Sequence, residues 1–573
     1  MLGIRKSQGE EPMKKPKIRR PTRMSEEEKQ ELVARIFAAD PLAFTEEPEE
    51  AEKIANRLGW VKAPERMRER LTELRAFAEE VREKFEEIVW CGMGGSSLFP
   101  LALSQIFGPQ EGYPRFTVLD TNDPETIAEL EATIPWEKTL FVIASKSGTT
   151  VETLSHYRYF WHKLEERGLS PGPHFVALTD PGSPLETEAQ EKGFLEVFHH
   201  PPDVGGRYAA LTEVGFLPAA LMGLDLERAL SAAEEMFEAS SPELPWDYNL
   251  AAWLAQYMVE HFIHGKDKLT ILADPLLRPF ALWLEQLIAE SLGKQFIGII
   301  PIVGESPGSP TVYGPDRYFV YLGLRGRENL YRRLFSDLKE ADFELKTYFL
   351  EDRYEIFAEC VRWELAVALS GALLGVNPFD EPDVVRAKKK TREILDTFEK
   401  TGEFPVEFYL DEDSGLGFLY AETAKIEYPR LTALIKKFFQ EMPPWGYVGF
   451  LAYLPPDPEI EEIFRDLRTL VRGRRQCSTV FGFGPRYLHS TGQLFKGGTI
   501  SGRFIIFTRK GRRPEQVIPG EGVTFWDLQF AQAYGDFRAL EEVGRPVIHL
   551  HLTENYREDL RRIYELFEQA LRL

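Results

Sequence analysis

Apolar runs of four or five residues, each followed by a polar turn and a longer amphipathic stretch, recur along the chain from residue 88 onward. Runs this short, rich in Val, Ile, Leu and Phe, predict buried strands. A first group lies at 88–91, 117–120, 140–143, 175–178 and 195–198, a second at 269–273, 298–302 and 318–322. A third occupies 447–451, 478–481, 503–507 and 547–551. Helical patterning fills most of the spaces between, with helices expected at about 354–374 and 387–400. Such alternation predicts an α/β fold of doubly wound parallel sheets. The expected organisation is charged N-terminal helices plus a first domain over 25–240, then a second domain over 245–400. A weakly patterned connecting segment, 401–442, leads to a third, C-terminal α/β domain over 443–573. No short fixed-period repeat is visible.

At 573 residues the chain exceeds one core, in keeping with several domains. The formal net charge of −22 argues against nucleic acid as a partner, which needs a basic face. The exception is residues 1–24, where Arg5, Lys6, Lys14, Lys15, Lys17, Arg19, Arg20 and Arg23 face only Glu10 and Glu11. This composition predicts a solvated, disordered tail, with a basic docking arm as the sharper alternative. No apolar stretch follows it as in a secretory signal, and no run approaches 18 apolar residues, so no membrane span is expected. Three widely separated cysteines, Cys91, Cys360 and Cys477, fit a reducing compartment, and a cytoplasmic location is expected.

The most informative turn follows the strand at 140–143. There Ser145-Lys146-Ser147-Gly148-Thr149-Thr150 gives way to the helix-like Val151-Glu152-Thr153. A strand that stops in small hydroxyl residues and restarts as a helix leaves several backbone N–H groups in one cup, over the positive end of the helix dipole. That is an anion site suited to a phosphate monoester. Ordinary Ser/Thr capping of a helix is the plainer alternative. Gly92-Met93-Gly94-Gly95-Ser96-Ser97 is a second glycine-rich strand-to-helix turn. It lacks the third glycine of a dinucleotide fingerprint and reads instead as a loop approached closely by substrate. In one doubly wound domain both turns lie at the carboxyl edge of the sheet and can face one ligand.

Three further blocks carry chemistry. Gly205-Gly206-Arg207-Tyr208 sets a permanently charged donor on a tight turn, where it can meet an enediolate. The stretch 274–294 predicts an amphipathic helix stopped by Gly293, with Leu276, Phe280, Leu284 and Leu287 as its apolar stripe. Gln286 and Glu290 share one face of it, and burial makes Glu290 a candidate general base. Lys388 heads the cluster 388–390 after Asn377-Pro378-Phe379-Asp380-Glu381-Pro382; a solvated basic face is its plain reading.

These blocks, in this order, resemble the phosphoglucose isomerase family, built from two sugar-isomerase (SIS) domains, over about residues 50–395. The segment from Phe483 to Gly498, with His489 at its centre, resembles the isomerase half of bifunctional transaldolase/phosphoglucose isomerase proteins, with no transaldolase barrel expected ahead of it. The resemblance implies reversible isomerisation of glucose 6-phosphate to fructose 6-phosphate through an enediol, with no cofactor. It puts phosphate on Ser145, Lys146, Ser147 and Thr150, and sugar beside Gly95, Ser96 and Gly206. Arg207 then stabilises the intermediate, Glu290 is the base, Glu152 and Gln286 surround the sugar, and Lys388 stands near the ring oxygen. A homodimer is compatible with it.

Departures from the family pattern are Glu381, Asp383 and Val385 in the last block and Ala209 after Gly-Gly-Arg-Tyr. The family's ring-opening histidine belongs on the loop at 303–313, yet no histidine occurs between Gly265 and Leu488. His489 is therefore expected to replace it, since imidazole is suited to proton transfer at neutral pH; the plainer alternative is that it caps the following turn or meets a partner subunit, with Lys388 or water opening the ring. His549 and His551 alternate on a strand without a third ligand, so a packed or solvated pair is expected and no metal is assigned. Two rivals remain. One is an isomerase for mannose 6-phosphate or a 6-sulfonated hexose; the other is a non-catalytic sugar-phosphate sensor, favoured only by the absent loop histidine.

Overall fold

The protein is described by a computed structural model covering residues 17–421, 430–511 and 516–572. Arg5, Lys6, Lys14 and Lys15 of the basic tail lie outside the described residues. The expected free tail does not include its last residues. Arg19 Nη2 donates to the carbonyls of Ala372 at 2.8 Å and Ala43 at 3.1 Å, which ties residues 17–24 to the body.

The first sheet contains β1 (Glu87–Gly92), β2 (Arg115–Leu119), β3 (Thr139–Ala144), β4 (Phe175–Thr179) and β5 (Glu196–His199). Their order is β2-β1-β3-β4-β5, all parallel. Every residue of β1, β3 and β4 is buried, the mark of a parallel sheet covered on both faces. The second sheet has β6 (Lys268–Ala273), β7 (Ile300–Ile302), β8 (Arg317–Leu324) and β9 (Leu345–Leu350), parallel in the order β7-β6-β8-β9. Strand β9 escaped the pattern reading because Lys346 and Thr347 interrupt its apolar run on a half-exposed edge.

The third sheet comprises β10 (Tyr409–Leu410), β11 (Gly417–Tyr420), β12 (Tyr447–Ala452), β13 (Ser478–Phe483), β14 (Gly502–Arg509) and β15 (Val547–Leu552). Strands β13-β12-β14-β15 are parallel, and β11 adds antiparallel to β15. Two boundaries therefore move. The segment 401–442 is not merely a connector, because it supplies β10, β11 and the helix Leu431–Gln440 to the third unit; residues 422–429 lie outside the described residues. The helix Val384–Thr401, expected in the second domain, packs on the third unit's helix Phe525–Glu542, with Arg386 and Lys390 paired to Glu542 at 3.3 and 3.2 Å. The orders β7-β6-β8-β9 and β13-β12-β14-β15 match, so the third unit repeats the four-strand topology of the second.

The units share cores. One apolar cluster runs from the N-terminal helices through the first sheet into the second, and another joins Ile300 and Ile302 of β7 to Tyr447 and Leu451 of β12. Polar docking is equally deep. Glu305, after β7, accepts from Arg317 at 2.6 Å, from Arg472 at 3.2 Å and from the Thr479 hydroxyl at 2.7 Å. Burial would raise the pKa of Glu305, but these cations outweigh it and hold it at about 2. Its contribution is thus complete above the ordinary glutamate range and is lost as pH falls toward 2. Glu305→Gln strands buried guanidinium charge and should cost roughly 3–5 kcal/mol at neutral pH. Urea unfolding checks this, and an unchanged midpoint would contradict it. Among the described residues, no helix is long and apolar enough to cross a membrane.

Candidate active site

In the first sheet the strand order reverses between β1 and β3, and ligands of doubly wound sheets bind outside the carboxyl ends at such a point. The turns after these two adjacent strands are Gly92–Ser97 and Ser145–Thr150. Gly95 lets the first turn lie on the arginine turn: a Cβ there would sit 2.2 Å from the carbonyl carbon of Gly206. Gly148 has φ +66°, and a Cβ would meet the Leu185 nitrogen at 2.9 Å, so the tight second turn needs glycine.

Thr150 occupies the N-cap position of the helix Val151–Glu166, but its side chain makes no capping hydrogen bond. Its hydroxyl instead accepts from Ser145 at 3.0 Å, and the Ser147 and Thr149 hydroxyls meet at 2.7 Å. Ser147 Oγ also accepts from the Thr149 N–H at 3.3 Å and Ser145 Oγ from the Thr150 N–H at 3.5 Å, so the N–H groups open to an anion are those of the helix's first turn. Lys146 departs from the expected set in one respect. Its ammonium is turned to the Asp180 carboxylate, 2.7 and 2.9 Å away, and to the Pro202 carbonyl. Ser96 is half-buried, with its carbonyl accepting from Trp90 at 2.8 Å.

The helix Arg278–Leu292 begins later than expected, and Leu276 lies before it, exposed. Phe280, Leu284 and Leu287 form its apolar face, and Gln286 and Glu290 are buried with them. Gln286 is the hinge of the arrangement. Its amide nitrogen donates to Glu290 Oε2 at 3.1 Å and to the His489 carbonyl at 2.8 Å, while its own Oε1 is buried with no hydrogen-bond partner among the described residues. Burial raises the Glu290 pKa; Arg207 pulls it down and Glu381 pushes it up again, leaving it above the ordinary value.

Arg207 Nη1 stands 3.6 Å from Glu290 Oε2 and 3.1 Å from Glu381 Oε2. Its remaining donors go to the Ser291 hydroxyl and to the carbonyls of Pro378 and Asp380, which fixes the guanidinium plane. Lys294 anchors the same turn, its ammonium 2.6 Å from the Asp380 carboxylate. Lys388, by contrast, stands apart from this hydrogen-bonded cluster. It is exposed on the helix Val384–Thr401 and, among the described residues, forms no hydrogen bond or ion pair.

His489 comes in from the third unit. Its imidazole Nε2 lies 2.7 Å from Glu152 Oε1, and its backbone packs on Gly94, where a Cβ would meet the His489 carbonyl oxygen at 2.5 Å. Glu152 is buried, which alone would raise its pKa, but His489 and the Gln532 amide outweigh this and bring it to about 2. An ionised Glu152 therefore orients the imidazole. Gln532 donates to Glu152 at 2.6 Å and accepts from Asn122 at 3.1 Å. Arg486 closes the junction with a two-pronged contact to Asp120 at 2.6 and 2.7 Å.

Sequence reasoning missed Gln532, Arg486 and Ser291. For Gln532 a signal existed. Gln529, Gln532 and Asp536 recur at helical spacing on one buried face of an otherwise apolar helix, which marks a polar network. His549 and His551 share the Thr508 hydroxyl at 2.7 and 2.8 Å and pack against Phe408. Among the described residues no group of three His, Cys, Asp or Glu could hold a metal ion.

A family model described as phosphoglucose isomerase matches residues 58–309. A glucose-6-phosphate isomerase of Carboxydothermus hydrogenoformans is 32% identical over 397 residues, 59% of this chain and 85% of the relative. That of Thermus thermophilus is 32% identical over 382 residues, 59% of this chain and 90% of the relative. Among solved structures, a hypothetical protein of Thermus thermophilus superimposes with TM-score 0.56 at 29% identity, covering 64% of this chain and 95% of the other. A glucose-6-phosphate isomerase of Chlamydia trachomatis shares the fold at TM-score 0.51 and 22% identity, over 66% of this chain and 86% of its own.

Proposed function

Since the chain belongs to the phosphoglucose isomerase family, we propose that it interconverts glucose 6-phosphate and fructose 6-phosphate through an enediol, with Glu290 as the base. The observation that carries this reading is the Gln286 amide, which ties the Glu290 carboxylate to the His489 segment within one buried cluster. In this reading the phosphate sits in the Ser145–Thr150 cup, over the helix that begins at Val151.

The steps follow from the groups present. Protonated His489, its imidazolium stabilised by ionised Glu152, gives its proton to the ring oxygen as the C1–O5 bond breaks, and the neutral imidazole so formed takes the proton that O1 loses. Glu290 then takes the C2 proton. Negative charge develops on the former carbonyl oxygen, where the immobilised Arg207 guanidinium stabilises it. O1 gains a proton as O2 gives one up, the proton held by Glu290 returns to C1 so that C2 becomes the carbonyl, and the ring closes in reverse. Burial of Glu152, Arg207, Gln286 and Glu290 strengthens each of these interactions. In the same reading Lys388, exposed and without a hydrogen bond or ion pair among the described residues, is free to approach the ring oxygen.

A coupled assay with glucose 6-phosphate, mannose 6-phosphate and a 6-sulfonated hexose tests the reading. The highest kcat/KM is expected for glucose 6-phosphate; preference for either rival would reassign the substrate, and no turnover of any would favour a sensor. Thr150→Ala should raise KM for the phosphorylated sugar by about tenfold, the scale of one lost charge-assisted hydrogen bond. Inorganic phosphate should compete with substrate in the same assay. Equal activity on free glucose and glucose 6-phosphate would remove the phosphate cup from the mechanism.

A further inference from the structure

A second cavity, of about 490 Å³, lies at the carboxyl edge of the second sheet, where the third unit closes over it. It sits where that sheet's strand order reverses: the end of β6 forms one wall and Tyr331, after β8, another. The volume is in the range of about 300–1,000 Å³ usual for small-molecule sites. One helix serves both cavities. Arg278, Ala281, Leu282 and Glu285 recur at helical spacing toward this one, whereas Gln286 and Glu290 belong to the active site. The segment after β13 is likewise shared, with Tyr487 and Ser490 lining this cavity and the His489 imidazole lying on Glu152.

Two polar groups here are not fully accounted for by the fold. Glu285 is only 6% exposed, lines the cavity and, among the described residues, has no hydrogen-bond or ion-pair partner. Burial pushes its pKa up to about 8, with only Arg468 opposing. Arg468, 4% exposed, spends its Nη2 on the carbonyls of Val303 and Thr479 and its Nε on the Thr479 hydroxyl. Its Nη1 lies toward Gly304 on the cavity wall and has no hydrogen-bond partner among the described residues. Arg465, paired with Glu462 at 3.3 Å, and Arg278, donating among the described residues to the Tyr331 hydroxyl at 3.3 Å, add cations at the rim, where Glu461 also stands. A buried carboxyl without a partner costs stability, so a packed interface alone gives no reason for it. Guanidinium donors and a carboxyl in one cavity suit an oxyanion that also carries hydroxyl groups.

We propose that this cavity is a second binding site, for a small phosphorylated polyol, held at its phosphate by Arg465 and Arg468 and at its hydroxyls by Glu285. The site is separate from the isomerisation centre and does not depend on which hexose is turned over there.

Isothermal titration of the full chain with glycerol 3-phosphate should show two equivalents bound, one in the active-site cup and one here. Glu285→Leu and Leu282→Trp should each bind a single equivalent while isomerase kcat/KM stays within about twofold of wild type, a change below the tenfold that one lost interaction brings. Glu285→Leu should also melt higher than wild type, because it removes an unpartnered buried carboxyl. Arg465→Ala, at a partly exposed side chain, keeps the test open if a core variant fails to fold, and should weaken the second equivalent by about tenfold. One equivalent in wild type, or two unaltered equivalents in all three variants, would overturn the proposal. A wild-type protein that binds two equivalents but isomerises none of the three sugars would instead overturn the catalytic reading alone.

Discussion

Glu290→Gln should lower kcat by about 10²- to 10⁴-fold, or about 3–5 kcal/mol of transition-state stabilisation, with KM little changed. The substitution keeps the shape of the side chain and can still meet the Gln286 amide, so the loss isolates the base. The wild-type pH profile carries a second expectation. Glu290 must be ionised to accept the C2 proton, and burial holds its pKa above the ordinary glutamate range despite Arg207. The acid limb of kcat/KM should therefore fall at a pH above that range. Glu381 also pushes this pKa upward, where the family pattern has an uncharged glutamine. A Glu290→Gln enzyme retaining more than a tenth of wild-type kcat would show that another group moves the proton.

His489→Ala should abolish most turnover of the cyclic substrate, by about 10²-fold or more, the usual scale of a lost acid–base group. Activity on an aldose phosphate too short to close a six-membered ring should survive, because that substrate needs only the Glu290 step. Equal losses on both would place His489 outside ring opening and leave it a positioning residue for Gln286, whose amide donates to its carbonyl. Glu152→Gln separates these roles further. It removes the charge that stabilises an imidazolium but leaves the His489 carbonyl where Gln286 uses it. Loss on the cyclic substrate alone is expected.

The dependence of the site on the third unit follows from topology. The second and third sheets have the same strand order, so the loop after β7 and the segment after β13 occupy equivalent places. The first, at 303–313, has no histidine and is spent on docking, with Glu305 gripped by Arg317 and Arg472. The second supplies His489. That repeat was invisible as a repeat along the chain, because the two units share strand order and not an evident sequence period.

Much of the site was legible because its chemistry is local. A strand ending in Ser-Lys-Ser-Gly-Thr-Thr has few ways to fold other than a tight turn into a helix, and the Gly148 conformation bears that out. Gln286 and Glu290 share a face because helical spacing dictates it, and they are hydrogen-bonded in the structure. The same locality explains the errors. Leu276 matched the apolar stripe, but the helix begins only at Arg278. The pattern also could not see that β10 and β11 belong to a sheet completed by β15, over a hundred residues later.

By itself the sequence determined the alternation of strands and helices, the two glycine-rich turns, the helix that carries Glu290 and the family. All of these depend on neighbours within about one helical turn or one strand, where periodicity and backbone sterics act. Only the tertiary structure decided which distant charges meet. It turned Lys146 toward Asp180, left Lys388 in solvent, and brought Glu152, Gln532 and His489 from two units into one cluster. Those pairings depend on desolvation: a buried carboxylate such as Glu152 must find its partners wherever the packed units bring them, whatever their separation along the chain.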